Sequence, residues 1–407
     1  MDPRSAACLL VDGLQAGFLG CYGNTWVQTP AIDRLASKSF LCDQSFAAGA
    51  TLDQAYAALW HGQRVNGTYA PAALRPALPT LAQAQGASAR LVTDDPRVAG
   101  WGEVAGFESV TFVKPALPAR AAAATDQTQI AKLLAVAADE WLAAPRPCLL
   151  WVHSQGLCGA WDAPYELRKE FQDEEDPDPP CWIEPPLETL AADADPDHLL
   201  GIMQAYAGQL RVVDDCVDDF LELVEAEVQA GNALWTLLAP RGFPLGEHGR
   251  VGLDAATAMQ GELLHVPWLI RGPGTLAGPA RSSALVGLAD LPGTLAAWLS
   301  GGAGWQSFAG NLLSVVAGER ETLRDALGFR GTQDSAVRTR AWFCRVASTG
   351  QEAARLYVKP DDRWEVNDVH DRCPEVLAEL SALAESWPEG DHEPTVELSD
   401  AARLGLG

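Results

Sequence analysis

The segment Leu237–Gly249, LLAPRGFPLGEHG, has the form of a binding loop but carries the wrong side chains for a metal. Its apolar run stops at Pro240 and Arg241. The carboxyl end of a parallel strand is where α/β proteins usually hold ligands and metals. Proline has no side-chain ligand atom, and arginine is a permanent cation. The sequence therefore predicts a turn that stands where a metal site is usual but carries no metal-ligand side chain at Pro240 and Arg241.

Other polar residues are candidates for chemistry, and each also has a plainer interpretation. His248 is useful in catalysis only beside a nucleophile or a metal, so we expect it to shape its turn. His153 follows an apolar run, and we expect a buried histidine with satisfied ring nitrogens. Cys158 has no basic neighbour to lower its pKa, which favours a quiet thiol. The run DDCVDD, 214–219, predicts a solvated helix face, because a straight helix does not wrap an ion.

Apolar runs that alternate with amphipathic segments predict the elements that position these residues. The pattern indicates an α/β fold with a mostly parallel central sheet and helices on both faces. We assign residues 1–310 to this domain, with an acidic, Pro-rich insertion near 172–197. Residues 311–387 predict a small C-terminal α+β subdomain with an antiparallel sheet, and 388–407 a tail. Within these ranges, 285–302 reads as one helix and 310–335 as a looser segment.

Composition narrows the function classes. The 407 residues carry a net charge of -25, which argues against nucleic acid and anionic membrane surfaces as partners. The nine cysteines form no C-x-x-C pair, a pattern that fits reduced thiols better than a disulfide framework. The sequence shows no signal-peptide pattern and no apolar run of about 20 residues. We therefore expect a soluble, cytoplasmic protein.

Several segments, taken in order, resemble the sulfatase family of the alkaline-phosphatase superfamily. They are LLVDGLQAGFLGCYGNTWVQTPAIDRLASKSF, LLWVHSQGLCGAWDAPYELRKEF, YAGQLRVVDDCVDDFLELV, LWTLLAPRGFPLGEHG, HVPWLIRGPG and LVGLADLPGTLAAWL. The resemblance implies the family's fold over about residues 6 to 387. It also implies a site built from a divalent metal, a nucleophile and cations around a sulfate.

Carried over residue by residue, this resemblance predicts a degenerate site. The implied metal positions are Asp12, Gly13, Pro240 and Arg241, and only Asp12 can still be a ligand. The nucleophile position holds a leucine, with a threonine one residue before it. The remaining implied positions, including the GEHG turn, are occupied by Leu52, Thr51, Tyr56, Asp94, Pro96, Cys158, His248 and Leu253. We expect Arg241 to form a salt bridge with Asp12, because a guanidinium can replace the cation beside a carboxylate.

These observations favour a sulfatase-like pseudoenzyme that binds or regulates, with no cofactor and an unknown protein or small molecule as partner. The alternative is a sulfuric or phosphoric ester hydrolase with a rebuilt site. In it Thr51 is the nucleophile, assisted by Asp12, His153 and His248, with calcium or magnesium as the metal. A weaker third hypothesis is a lectin-like carbohydrate binder that uses the old cleft. The sequence does not assign an oligomeric state.

Overall fold

A computed structural model describes residues 4–117, 119–276, 278–301, 308, 310–348, 353–388, 390, 394 and 396–405. An eight-stranded sheet forms its centre. In spatial order the strands are β10 (Ala280–Gly287), β2 (Phe40–Phe46), β9 (Trp268–Arg271), β7 (Ala233–Leu238), β1 (Ser5–Val11), β5 (Cys148–Ser154), β3 (Ser88–Thr93) and β4 (Ser109–Phe112). Only β9 runs antiparallel to its neighbours. The predicted fold class, a mostly parallel α/β sheet with a separate antiparallel sheet, is confirmed.

The strands at the centre of the sheet are buried along their whole length, as expected for apolar runs covered on both sides. The helices of this part are α1 (Pro30–Ala36), α2 (Leu52–His61), α3 (Leu78–Ala84), α4 (Pro96–Ala105), α5 (Gln129–Ala143), α6 (Tyr165–Lys169), α7 (Pro196–Gln229), α8 (Gly261–Leu264), α9 (Leu291–Leu299) and α10 (Leu313–Val316). Helices α2, α3 and α9 pack together, and α1, α5 and α6 pack on α7. No helix of the described residues is both long and apolar enough to cross a membrane.

The acidic insertion is tied to the turn that follows β7. Strand β6 (Glu188–Thr189) pairs antiparallel with β8 (Arg250–Val251), which follows GEHG directly. The amide of Leu190 also donates to the carbonyl of Gly249 at 2.7 Å. The insertion therefore lies against the same sheet edge as Arg241.

The segment 285–302 is predicted as one helix, but its described part, 285–301, contains the end of a strand, a turn and a helix; residue 302 lies outside the described residues. Strand β10 ends at Gly287, a short turn covers Leu288–Asp290, and α9 begins at Leu291. The carboxylate of Asp290 accepts the amide of Gly287 at 2.8 Å and pairs with Arg324 at 2.5 Å. These contacts hold the turn, and the apolar periodicity of the segment does not reveal them.

The C-terminal part contains a second sheet of four antiparallel strands. They are β11 (Ala326–Arg330), β12 (Asp334–Thr339), β13 (Trp342–Ala347) and β14 (Arg355–Val358), followed by α11 (Pro374–Ser386) and α12 (Asp400–Leu404). Strand β11 lies in the range 310–335, which the sequence predicts to be looser. The strand was missed because Gly328 interrupts its apolar pattern. A Cβ at Gly328 would lie 2.0 Å from the ring of Trp387, so only glycine admits that ring. The range predicted as a tail includes α12, where Ala402 is fully buried.

Candidate functional site

A cleft of about 450 Å³ opens beside the carboxyl ends of β1, β3, β5 and β7. Six of the residues predicted for the site line it, and they are Asp12, Thr51, Leu52, Cys158, Arg241 and Leu253. Residues 185–187 of the acidic insertion line it as well. The parallel topology brings these side chains together, because successive strands of one direction end at the same edge.

Asp12 and Arg241 form a buried ion pair at the base of this cleft. Nε of Arg241 donates to Oδ1 of Asp12 at 3.1 Å, and Nη2 donates to Oδ2. Nη1 donates to the carbonyl of Ala50 at 2.8 Å, which directs the guanidinium toward the start of α2. Burial acts to lower the pKa of Arg241, but the acidic groups around it, Asp12 first among them, together raise that pKa. The structure thus places the two side chains in the contact predicted from the sequence.

Thr51 acts as the N-cap of α2. Its hydroxyl accepts the amide of Gln54 at 3.3 Å, and the Gln54 side chain accepts the Thr51 amide at 3.2 Å. This reciprocal pair is a capping box. The hydroxyl also donates to Oε1 of Gln54 at 3.2 Å, and an amide oxygen is not a general base. None of the described residues gives Thr51 a basic hydrogen-bond partner.

Tyr56, Asp94 and His248, predicted as cleft positions, do not line the cleft. Tyr56 is fully buried, with its ring 4.5 Å from that of Trp60. Asp94 is buried and accepts the amide of Gln155 at 2.7 Å. For Asp94 the difference is one step of register at the turn after β3, because the next residue, Asp95, lines the cleft in its place.

Arg97 is a cleft cation that the sequence reasoning missed. It lines the cleft on the first turn of α4, and Nη2 pairs with Oδ2 of Asp95 at 3.1 Å. Asp95 is the N-cap of that helix and accepts the amides of Arg97 and Val98. The signal was available, because an Asp-Pro pair after a strand marks a helix start at the functional edge of the sheet. The cleft therefore has two guanidiniums, and each is held by an aspartate.

His153 is buried without the satisfied ring nitrogens that the sequence predicts. It is fully buried on β5, and neither nitrogen has a hydrogen-bond partner among the described residues. Its ring lies 5.5 Å from that of Tyr56. Burial lowers the pKa of His153 to about 4, so the imidazole is neutral near pH 7.

His248 lies away from the cleft, in a cluster of its own. Nδ1 pairs with Oε1 of Glu262 at 2.8 Å, and burial opposes but does not cancel the resulting rise in the His248 pKa. Ligand-type atoms of His248, Glu262 and Glu365 lie within 4.8 Å of one another. Lys359 already contacts Glu365, with Nζ 3.0 Å from Oε1, and supplies positive charge there. This cluster fixes the GEHG turn against the C-terminal part.

Asp214, the first acid of DDCVDD, is not on a solvated face. It is fully buried, and its carboxylate accepts the amides of Ala31 at 3.0 Å and Ile32 at 2.8 Å. These amides belong to the first turn of α1, where unpaired N–H groups favour an anion. The prediction of a solvated face is wrong for this residue, although Asp215 is exposed.

We expect Asp94→Asn to stabilise the protein at pH 8 and to have little effect near pH 4. Burial raises the pKa of Asp94 to about 7. The folded state therefore holds this proton between pH 4 and 7 whereas the unfolded chain releases it, and stability falls as pH rises through that window. Each pKa unit corresponds to about 1.4 kcal/mol. Urea unfolding at both pH values measures the effect, and a difference that does not change with pH would contradict it. The exposed Asp126→Asn is the charge-matched control.

A family model and several solved structures match this chain. The sequence model of the sulfatase family matches residues 8–302. The chain belongs to the sulfatase family. No curated protein sequence gives a significant match.

Solved structures show how widely the family fold is shared. A phosphonate monoester hydrolase of Agrobacterium radiobacter has a TM-score of 0.73 at 17% identity, covering 96% of this chain and 100% of its own. A 2-O GAG sulfatase has a TM-score of 0.71 at 18% identity, covering 95% and 92%. A protein in complex with its substrate D-glucosamine-2-N,6-O-disulfate has a TM-score of 0.71 at 16% identity, covering 95% and 97%. At these identities the likeness establishes the fold alone.

The residues at the family's metal position do not fit a divalent cation. A hard cation needs several oxygen ligands. Here Asp12 supplies a carboxylate, whereas Gly13 and Pro240 supply no side-chain ligand atom. The guanidinium of Arg241 is bound to both carboxylate oxygens of Asp12. At the positions that the resemblance assigns to the metal, a divalent cation would meet one carboxylate, and that carboxylate is already bound to a guanidinium.

Proposed function

We propose that this sulfatase-family chain is a pseudoenzyme that works by binding or regulation instead of ester hydrolysis. The observation that carries the proposal is the Asp12–Arg241 ion pair, which puts a fixed guanidinium where a catalytic metal would need its ligands. A metal in such a site acts as Lewis acid and activates the nucleophile. A guanidinium neutralises charge, but it has no vacant orbital and no proton to lose near pH 7.

The nucleophile position supports the same proposal. Leu52 has no nucleophilic atom, and the adjacent Thr51 hydroxyl is engaged in the capping box of α2. A hydroxyl at its ordinary pKa needs a base or a metal to attack an ester. His153 is neutral and lies inside the sheet, where it contributes no atom to the cleft lining. Among the described residues, the chemical step of the alternative hydrolase therefore has no activating group hydrogen-bonded to Thr51.

The charges of the cleft also disfavour an anionic ester. Its two guanidiniums are paired, Arg241 with Asp12 and Arg97 with Asp95. Two further carboxylates of the described residues, Asp53 and Asp254, line the same cleft, and Asp254 pairs with Arg250. The described lining therefore has four carboxylates and two guanidiniums, and both guanidiniums are paired, which disfavours a sulfate or phosphate.

A cytoplasmic location is part of this proposal. All nine cysteines are free thiols, and several of them are buried. Reduced thiols are the usual state in that compartment.

Turnover and metal content test the proposed function together. We expect no release of 4-nitrophenol from its sulfate, phosphate or phenylphosphonate ester, with calcium, magnesium or manganese added. We also expect no stoichiometric divalent metal by elemental analysis of the purified protein. Thr51→Ala should cost about 1 kcal/mol of stability through loss of the N-cap. Hydrolysis by the parent that Thr51→Ala abolishes would establish the alternative hydrolase instead.

A further inference from the structure

A second pocket, of about 330 Å³, lies between the main sheet and the four-stranded sheet. Its walls come from β2, from the segment around α8, from β12 and β13, and from residues 359–365. It shares no lining residue with the cleft around Asp12. Tyr22, Phe46, Phe343 and Trp364 give it aromatic walls. Its volume falls in the range of small-molecule sites.

The charges of the second pocket are the reverse of those in the cleft. Each of its described acids has a positive or basic partner. Asp43 pairs with Arg281, Glu262 with His248, and Glu365 with Lys359. Two guanidiniums remain, those of Arg338 and Arg363, and neither forms an ion pair among the described residues. In a chain of net charge -25, this pocket keeps an excess of positive charge.

Both guanidiniums are held in place by neutral groups. Nη2 of Arg338 donates to Oε1 of Gln44 at 2.9 Å, and Nη1 donates to the carbonyl of Trp342 at 3.1 Å. Nη1 of Arg363 donates to the carbonyl of Tyr22 at 2.7 Å. Nη2 of Arg363 is shut off from solvent and has no acceptor in the described part of the chain. Carbonyl and amide acceptors orient these cations without neutralising them, which leaves their charge for a ligand.

His265 lies beside the cations of this pocket. Its ring packs between those of Tyr22 and Phe46, and it bonds through Nε2 to the carbonyl of Asp43 at 2.9 Å. Burial, together with the charges of Arg363, Arg338 and Lys359, lowers the pKa of His265 to about 4. The imidazole is therefore neutral at pH 7. The three cations that help to lower its pKa all line the second pocket.

We propose that the second pocket binds a small ring compound that carries one sulfate, phosphate or carboxylate group. Arg338 and Arg363 would hold the anionic group, because a guanidinium presents paired donors that match these oxyanions. The aromatic side chains would pack on the ring, which adds apolar contact to the charge. The proposal does not depend on whether the Asp12 cleft is active, since the two sites have separate walls.

Fluorine NMR of the whole chain with three probes tests this site. The probes are 4-fluorophenyl sulfate, 4-fluorophenyl phosphate and 4-fluorobenzoate, with neutral 4-fluorobenzyl alcohol as reference. Arg363→Gln removes one charge at a half-buried loop position and keeps a polar side chain, so the variant should fold. Arg97→Gln is the matched control, because its side chain is 57% exposed and lines the other cleft.

We expect at least one anionic probe to bind, and its affinity to fall at least tenfold in Arg363→Gln while Arg97→Gln leaves it unchanged. Binding should weaken with added salt. The proposal fails if none of the anions binds at millimolar concentration. It also fails if the alcohol binds equally well, or if Arg97→Gln and not Arg363→Gln removes binding. Turnover is a separate readout, since released 4-fluorophenol has its own resonance and would contradict the proposed pseudoenzyme only.

Discussion

Replacing Arg241 with methionine should lower the free energy of unfolding by about 3–5 kcal/mol, one of the largest losses expected for a single change in this chain. Asp12 is 2% exposed, and Arg241 supplies its cation through two hydrogen bonds. Without that cation the carboxylate stays buried and unpaired, which costs far more than the pair itself contributes. Urea unfolding monitored by tryptophan fluorescence measures the loss.

Two further variants separate the buried charge from a packing defect. Adding Asp12→Asn to Arg241→Met removes the orphaned charge, and we expect the double variant to recover part of the lost stability. Arg403→Met breaks an exposed pair with Asp400 and should change little. A loss below about 1 kcal/mol in Arg241→Met would mean that the pair is not a structural replacement for a metal.

The same pair shows why part of the site was open to prediction from the sequence. Asp12 and Arg241 each stand directly after an apolar run, and residues at the ends of parallel strands meet at one edge. A buried carboxylate needs a partner, so residue type and strand order together indicated the contact. The fold was predictable for a related reason, since alternating buried strands and helices restrict the chain to a parallel sheet.

Other contacts of the site could not be predicted in this way. The choice between Asp94 and Asp95 as the cleft residue depends on one step of register at the β3 turn. Asp214 lies in a run of aspartates, and only the packing of α7 on α1 shows that it caps a helix. The excess charge of the second pocket arises from Arg338 on β12 and Arg363 in the loop after β14, whereas two of its acids, Asp43 and Glu262, come from β2 and α8. Such a balance depends on tertiary neighbours, and spacing along the chain does not encode it.

The two cavities therefore have opposite characters. Both cations of the cleft around Asp12 are neutralised by aspartates. The second pocket has each acid paired and two cations left over, beside aromatic walls. Of these two cavities, the second pocket is the one whose described residues leave positive charge for a small anion. The pseudoenzyme and the anion site are separate proposals. The first rests on the paired charges of the cleft, and the second on the guanidiniums of Arg338 and Arg363, which are without an ion pair within the described residues.

The backbone at Gly13 disfavours the second aspartate that the family resemblance implies at this position. Gly13 has a φ of +80°, which favours glycine. A Cβ there would lie 2.9 Å from Sγ and 3.0 Å from the amide nitrogen of Cys158, and 3.1 Å from the carbonyl carbon of Leu157. Two of those three atoms are backbone and cannot rotate away. An aspartate at this position would therefore be crowded and would adopt a strained backbone conformation.

We expect Gly13→Asp to destabilise the protein by about 2–5 kcal/mol, from about 1–2 for the left-handed backbone and about 1–3 for the close contacts. Gly13→Ala should show most of this loss, because it has the same Cβ without the charge. The triple variant Gly13→Asp, Pro240→Asp, Arg241→Asn restores the implied ligand types, and we expect millimolar calcium to leave its unfolding midpoint unchanged. A calcium-dependent rise would mean that metal binds the folded state and that the site can be rebuilt. No such rise, with Gly13→Ala nearly as unstable as Gly13→Asp, would show that the backbone itself now excludes the metal site.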